Sequence, residues 1–523
     1  MSLSIPSGTF IKRPAWTYAD ILWFLFCFSL SLLGIKFADY ALLNLDVGAI
    51  IAFAQEMLKG KQLYSDLITS QFPLIFYISM IPLGIHALTG ISVPEAFFLF
   101  MFVLLQGCVL LSWRIAQEGI LRDALRTQRY AMLFALYYAV FILPLQGEEY
   151  STNFGQREPL FCALILPYLM LALNRLRGET SSSLICVAAG TLAAFGFNIK
   201  PHFFLIFMLS EGFVLICLRR FSIWSRIECR VILVLTVAYY TAFVLGCSEY
   251  FVLLPKLAEN YHAFQQTWPR TIFQAVFYGM AAIVGCIIFR RSLSRNVLFF
   301  LVLVAGAEAM YLSYKGWLFY RSYPILFFSL LLLVLGVLES GGTWRAFATI
   351  LCFIGYISMI RAPFDLSKIN MHRQEVLTEA GMIAPYKTVI FLNSDIVNFP
   401  IVNYAGTESL LGMAFLEYLP VAYIRYQGTN LQIVYHDPAA MGANERFFHE
   451  KVIKNLQQLP DAIVIFEGPV KYPHFKFDLL HYFLLDPRFQ EIWRHYEYAG
   501  QVSRKYVPPA QLGAYDVIYR RKY

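Results

Sequence analysis

The chain has 523 residues, of which 58% are apolar, 17% aromatic and only 15% charged, with a formal net charge of +8 and a mean hydropathy of +0.57. One water-soluble core does not need that much apolar surface, so most of the chain faces lipid and an ordinary soluble enzyme is excluded. The positive balance comes mostly from arginines in short connections and gives no indication of nucleic acid.

The first apolar block, Ala19 to Phe37, follows Lys12 and Arg13 with no small-residue cleavage site, which predicts a retained helix. Further blocks at about 94–113, 129–145, 158–174, 184–199, 202–218, 230–247, 272–289, 297–314, 320–338 and 345–361 bring the count to eleven. Each is near the ~17–25 residues a spanning helix needs. With the N-terminus in the cytoplasm, the inner loops carry Arg114, Arg122, Arg126 and Arg129, then Arg175 and Arg177, then Arg219, Arg220, Arg226 and Arg230, then Arg290, Arg291 and Arg295. The stretch Phe72 to Leu88 carries Pro73 and Pro82, and as a full span it would reverse these loops. It therefore reads as a re-entrant or interfacial helix, or as a span that crosses in place of a neighbour.

This orientation puts loops 39–93, 146–157, 248–271 and 315–319 on the outer face, together with everything after the last block. The expected organisation is an all-α polytopic membrane domain over 1–361, with about 11–12 helices, and a soluble α/β domain over 362–523. In the latter, β-prone runs Val389 to Leu392, Ala462 to Phe466 and Tyr515 to Tyr519 alternate with helix-like stretches such as Phe447 to Gln457 and Phe475 to Leu485. None of the nine cysteines lies beyond Cys352, so that domain holds no disulfide.

Unusual polar residues gather in the outer loops. The first opens with Asn44-Leu45-Asp46-Val47-Gly48 and continues as a helix with Ile50, Ile51, Ala54, Met57 and Leu58 on one face, expected to lie on the membrane surface. Asp46 there is a candidate general base, although an aspartate at a helix start serves equally as an N-cap. The second loop packs Glu148, Glu149, Arg157 and Glu158 into one turn, where Arg157 paired with a glutamate could simply lock the loop. Fixed cations follow: Lys200 before Pro201 and His202, Arg270 in the loop with Tyr261, His262 and Trp268, and Lys315 before Gly316-Trp317, then Tyr320 and Arg321. Such groups suit a phosphate that gathers charge as it leaves, and they suit snorkelling anchors at helix ends as well. Histidines 262, 436 and 449 lack a metal-ligand spacing, so no metal site is assigned. Walker-type loops, dinucleotide fingerprints and a Gly-x-Ser-x-Gly elbow are absent.

The segment from Asp46 through Gly60 and Tyr64-Ser65-Asp66 to Gln71-Phe72-Pro73-Leu74-Ile75-Phe76-Tyr77 resembles the first extracytoplasmic loop of GT-C glycosyltransferases. The likeness is to bacterial relatives of protein mannosyltransferases and of the lipid A aminoarabinose transferase. It departs from them in having Phe72-Pro73 where many carry two prolines. The run Lys315-Gly316-Trp317-x-x-Tyr320 is similar to a late outer loop of the same group. The resemblance implies that Asp46 is the catalytic carboxylate and that Glu148, Glu149 and Glu158 shape the site, possible divalent metal included. It implies that Lys200, Arg270, Lys315 and Arg321 bind a lipid phosphate, with Arg157, His202, His262 and Tyr320 in the substrate pocket. The expected activity is inverting transfer of a sugar from a polyprenyl-phosphate donor to a glycan, lipid or protein acceptor, on the periplasmic face of a bacterial inner membrane. The alternatives are a flippase or other polysaccharide transporter, for which Glu211 and Glu308 are the mid-span charges, and an O-antigen polymerase or ligase.

Overall fold

A computed structural model describes residues 17–147, 151–219, 226–262, 267–289, 294–313, 319–340, 343–360, 365–393, 398–414, 416, 418–426, 431–467, 477–504 and 514–522. The chain begins with α1 (Tyr18–Tyr40), α2 (Leu45–Leu58), α3 (Leu74–Thr89), α4 (Val93–Glu118) and α5 (Arg126–Tyr137). Then come α6 (Arg157–Leu176), α7 (Ser183–Asn198), α8 (Phe204–Leu218), α9 (Ile227–Gly246) and α10 (Ser248–His262). The helical region closes with α11 (Trp268–Ile288), α12 (Arg295–Ser313), α13 (Tyr323–Glu339) and α14 (Thr343–Ile360). All eleven apolar blocks are helical. Among the described residues nine helical runs are long and apolar enough to cross a membrane, and α3, α7 and part of α14 are shorter apolar helices.

Burial, not composition, sorts these helices. In α6 and α13 94% of the apolar stretch is buried, whereas for α9, which is no less apolar than α6, the share is 17%. α6 and α13 therefore form the axis of the bundle, and α9 turns most of its apolar surface outward, towards lipid. The stretch 72–88 is the 16-residue helix α3, begun by Pro73 and carrying Pro82. At 1.5 Å per residue it rises about 24 Å, less than the ~30 Å hydrocarbon core.

After α15 (Leu366–Ile383) the chain builds a five-stranded sheet, in which β1 (Thr388–Leu392) precedes α16 (Asn398–Ala405), β2 (Glu408–Ser409), α17 (Tyr418–Val421) and α18 (Ala443–Leu456). Next are β3 (Ala462–Glu467), α19 (Leu479–Leu484), α20 (Pro487–Trp493), β4 (Tyr496–Arg504) and β5 (Ala514–Arg521), in spatial order β2-β1-β3-β5-β4. β1 runs parallel to β2 and β3, while β5 is antiparallel to β3 and β4. Ile390, Leu392, Ile463 and Ile465 pack with Phe448, Val452 and Ile453 of α18. The alternate residues Val389, Phe391 and Val464 pack with α15, α16 and two alanines of α2, Ala49 and Ala52.

That last contact corrects the expectation of a surface-lying first-loop helix. α2 is buried on two sides: Val47, Ile50, Ile51 and Ala54 join the bundle core, while Ala49 and Ala52 join the sheet core. The small residues between them let α16 approach. A Cβ on Gly48 would stand 2.8 Å from the Asn403 Oδ1, 3.1 Å from the Phe399 Cβ and 3.2 Å from the Pro400 Cα. Gly48→Val is therefore expected to prise α16 from α2 at a cost of about 1–3 kcal/mol. A lowered thermal midpoint and faster proteolysis after Leu366 would report it, and unchanged protection would show that the contact is not held tightly.

Candidate active site at the amino-terminal turns of α2 and α6

Asn44, not Asp46, caps α2. Its side chain accepts the Asp46 amide at 3.0 Å, so Asp46 lies inside the first turn with its carboxylate released from capping. The Asp46 Oδ2 accepts from Arg157 Nη2 at 2.9 Å and from Gln156 Nε2 at 3.2 Å. Asp46 keeps a quarter of its side chain exposed, while Arg157 keeps 3%. Arg157 thus bridges the second loop to Asp46 of the first.

The second loop is shaped to deliver those donors. Gly155 has φ of +79°, and a Cβ there would meet Phe97 Cζ at 2.6 Å, so glycine is required on both counts. Asn44 Nδ2 donates to the Thr152 carbonyl at 2.8 Å, and Gln156 Nε2 donates to Asn44 Oδ1. Asn44, Thr152 and Gln156 thus fix the geometry of the Asp46–Arg157 pair, a role that the sequence reading did not assign to them.

The next residue on α6 turns the other way. Glu158 is buried and receives the Lys200 ammonium, which stands between α7 and the turn Pro201–Phe203. Phe161, one turn on, stacks on Phe203 at 4.1 Å and holds that junction against α6. Tyr320 completes the cluster: Arg157, Lys200 and Arg321 lie 5.7, 5.7 and 5.9 Å from its ring centroid, and Arg157 Nη2 donates to its hydroxyl at 3.4 Å. Three cations thus surround one buried tyrosine beside two carboxylates.

Burial pushes the Lys200 ammonium down to about 7, with Arg157 and Arg321 adding to the shift and Glu158 opposing it. A bound phosphate would add a second counter-charge to that of Glu158 and hold the lysine protonated. Affinity for a polyprenyl phosphate should therefore weaken as pH rises above about 7, because the free protein then starts from neutral lysine. Titrating that lipid into detergent-solubilised protein between pH 6 and 9 checks this, and a flat profile would show that Lys200 stays charged without it.

His202 sits half-buried beside this junction, its ring 4.7 Å from Phe203. Arg270 is exposed in the first turn of α11, within electrostatic reach of Tyr311, as Arg321 is. Glu148, Glu149 and Lys315 lie outside the described residues, as does the side chain of His262. Among the described residues no group of three or more His, Cys, Asp or Glu is arranged to hold a metal. Among the described residues, Glu158 is engaged by Lys200, and the neighbouring Arg157 and Arg321 oppose a divalent ion at that carboxylate.

The opposite ends of these helices carry structural ion pairs. Arg175 makes two hydrogen bonds to Glu228, at 3.0 and 3.2 Å. Glu211 accepts from Tyr168 at 2.6 Å and pairs with Arg226. Glu308 stands against Gly279, where a Cβ would come within 2.1 Å of its Oε1.

No family model matches the chain. None of the curated proteins matches either. Among solved structures the chain is similar to the archaeal oligosaccharyltransferase AglB from Archaeoglobus fulgidus, determined in complex with an inhibitory peptide and a dolichol-phosphate. The TM-score is 0.44 and the identity 11%, over 95% of this chain and 74% of that one.

Proposed function

We propose that the protein is a membrane glycosyltransferase that moves a sugar from a polyprenyl phosphate to an acceptor hydroxyl, with inversion. One observation carries the reading: the partly exposed carboxylate of Asp46 adjoins a buried cluster in which Arg157, Lys200 and Arg321 gather round Tyr320. A base beside an anion-binding cluster is what displacement of a phosphate by a hydroxyl requires.

The acceptor oxygen attacks the anomeric carbon, the bond from that carbon to the phosphate oxygen breaks, and the hydroxyl proton passes to Asp46. Arg157, Lys200 and Arg321 stabilise the departing lipid phosphate electrostatically in a site from which water is largely excluded. Phosphate leaves without protonation, so no general acid is needed. A single displacement inverts the configuration. The arginine-lined connections at the other end of the bundle favour this site facing away from the cytoplasm, and the resemblance to bacterial GT-C enzymes makes that face the periplasm of a bacterial inner membrane.

The test is transfer of radiolabel from a panel of polyprenyl-phosphate sugars in membranes containing the protein. Label transfer with release of polyprenyl phosphate is the expected result. No turnover of any donor, together with no binding of polyprenyl phosphate, would return the protein to the transporter class.

A further inference from the structure

Cys247, with φ of −133° and ψ of 46°, breaks the helix at the end of α9, and α10 begins at the next residue. The Phe243 ring of α9 lies 5.2 Å from that of Tyr250 and 5.7 Å from that of Phe251, so α10 bends over the end of α9. It has two apolar faces. Tyr250, Leu253 and Leu257, three and four residues apart, are buried in a core shared with Phe448 and Val452 of α18 and Tyr64 of the first loop. Phe251, Val252 and Leu254 are exposed, Val252 by 63%, and they continue the lipid-facing surface of α9, where Leu245 is exposed by 80%.

Lysines gather at the edge of that outer face. Lys256, one turn after Val252, holds its Nζ 3.7 Å from the ring centroid of Phe447 on α18. Lys451 and Lys454 follow Phe447 on the same side of α18, four and seven residues on. Lys451 Nζ donates to the Ser65 carbonyl at 2.6 Å, which uses one of its three N–H groups. Tyr64, beside Ser65, packs its ring 4.9 Å from that of Tyr250, which sets this side of α18 level with α10. Burial pushes the Lys451 ammonium down, and the charges of Lys454 and Lys256 add to the shift while Asp66 opposes it. The exposed Glu249 stands two turns before Lys256 on α10.

We propose that α10 and the lysine side of α18 form a docking surface for the headgroup of an anionic phospholipid in the adjoining leaflet, with Phe251, Val252 and Leu254 among its acyl chains. Apolar side chains at the bilayer boundary with cations at their edge are what an interfacial helix presents, and anionic lipid strengthens the hold of each nearby lysine. Lys256 belongs to α10 and the other two to α18, so one phosphate between them ties the membrane-following helix to the C-terminal domain. Asn444 Nδ2 of α18, donating to the Lys256 carbonyl at 3.3 Å, already joins the same two helices. None of these residues belongs to the cluster around Tyr320, and the proposal stands apart from the transferase reading.

Hydrogen exchange of the full-length protein in nanodiscs tests it, with phosphatidylcholine alone or mixed with phosphatidylglycerol. Amides of α10 and α18 should exchange at least about fivefold more slowly with phosphatidylglycerol, and high salt should shrink the difference. Lys256→Gln, Lys451→Gln and Lys454→Gln together should abolish it, each lipid being compared within the same variant. The exposed Lys454→Gln alone should reduce it without disturbing the fold. Val252→Ser should speed exchange of α10 in both lipids. Equal exchange of α10 and α18 in the two lipids overturns the proposal, and so does lipid-dependent protection that survives all three lysine substitutions. Inorganic phosphate that reproduces the protection in phosphatidylcholine, or α10 exchange indifferent to Val252→Ser, overturns it as well.

Discussion

Asp46→Asn should lower turnover by about 10²–10⁴-fold with donor affinity nearly unchanged, the loss expected when a positioned general base is removed. The substitution separates chemistry from structure. Asparagine keeps an oxygen that can accept from Arg157 Nη2 and Gln156 Nε2, so the bridge between the two loops survives. Asn44, which caps α2, is untouched. What disappears is an oxygen able to take the acceptor proton. Asp46→Ala is a poorer probe, because it leaves the 3% exposed Arg157 without this carboxylate and confounds activity with stability. Single-turnover kinetics with a polyprenyl-phosphate sugar, beside equilibrium binding of the donor, measure the two quantities separately. Full turnover in a folded Asp46→Asn protein would make Asp46 an anchor for Arg157 and move the search for the base elsewhere.

The elements that lipid or a pleated sheet imposes were legible in the sequence. The eleven apolar blocks are helices because spanning demands a long unbroken apolar run, which stands out in any window. Val389 to Leu392 and Ala462 to Phe466 are strands because short β-branched runs buried on both faces have few other uses. The alternation that sends Ile390 to α18 and Phe391 to α15 was not visible, since both faces are apolar. Nor was the double burial of α2, whose second face is made of glycine and alanine and carries little hydrophobic signal.

The site was legible as residue types but not as pairs. Asp46, Arg157, Glu158, Lys200, Tyr320 and Arg321 could all be singled out as polar groups at helix ends. Their partners could not, because Arg157 reaches Asp46 across 111 positions and Tyr320 across 163, and no local pattern encodes such contacts. The cap was missed for another reason. Asn44 and Asp46 are both good N-cap residues, so the sequence offered Asp46 as a cap, and only the backbone at Asn44 decides that Asn44 serves the helix.

Lys200 and Glu158 give the second large effect, and a double-mutant cycle shows how much of it is binding. Both side chains are nearly buried, at 10% and 3% exposure, so removing either partner strands a charge and should cost about 3–5 kcal/mol of stability. Lys200→Met and Glu158→Gln are each expected to lower the thermal midpoint strongly. The double variant should recover most of that loss, because a methionine beside a neutral amide leaves no uncompensated ion. Donor binding should follow a different pattern. If Lys200 holds the lipid phosphate, affinity for polyprenyl phosphate falls in Lys200→Met and stays low in the stable double variant. In Glu158→Gln the lysine is released from its carboxylate, and the phosphate becomes its counter-ion. Affinity in whatever fraction folds should therefore rise, with a bound lipid raising the midpoint by mass action. Recovery of both stability and donor affinity in the double variant would assign the pair to structure alone and leave Arg157 and Arg321 to hold the phosphate.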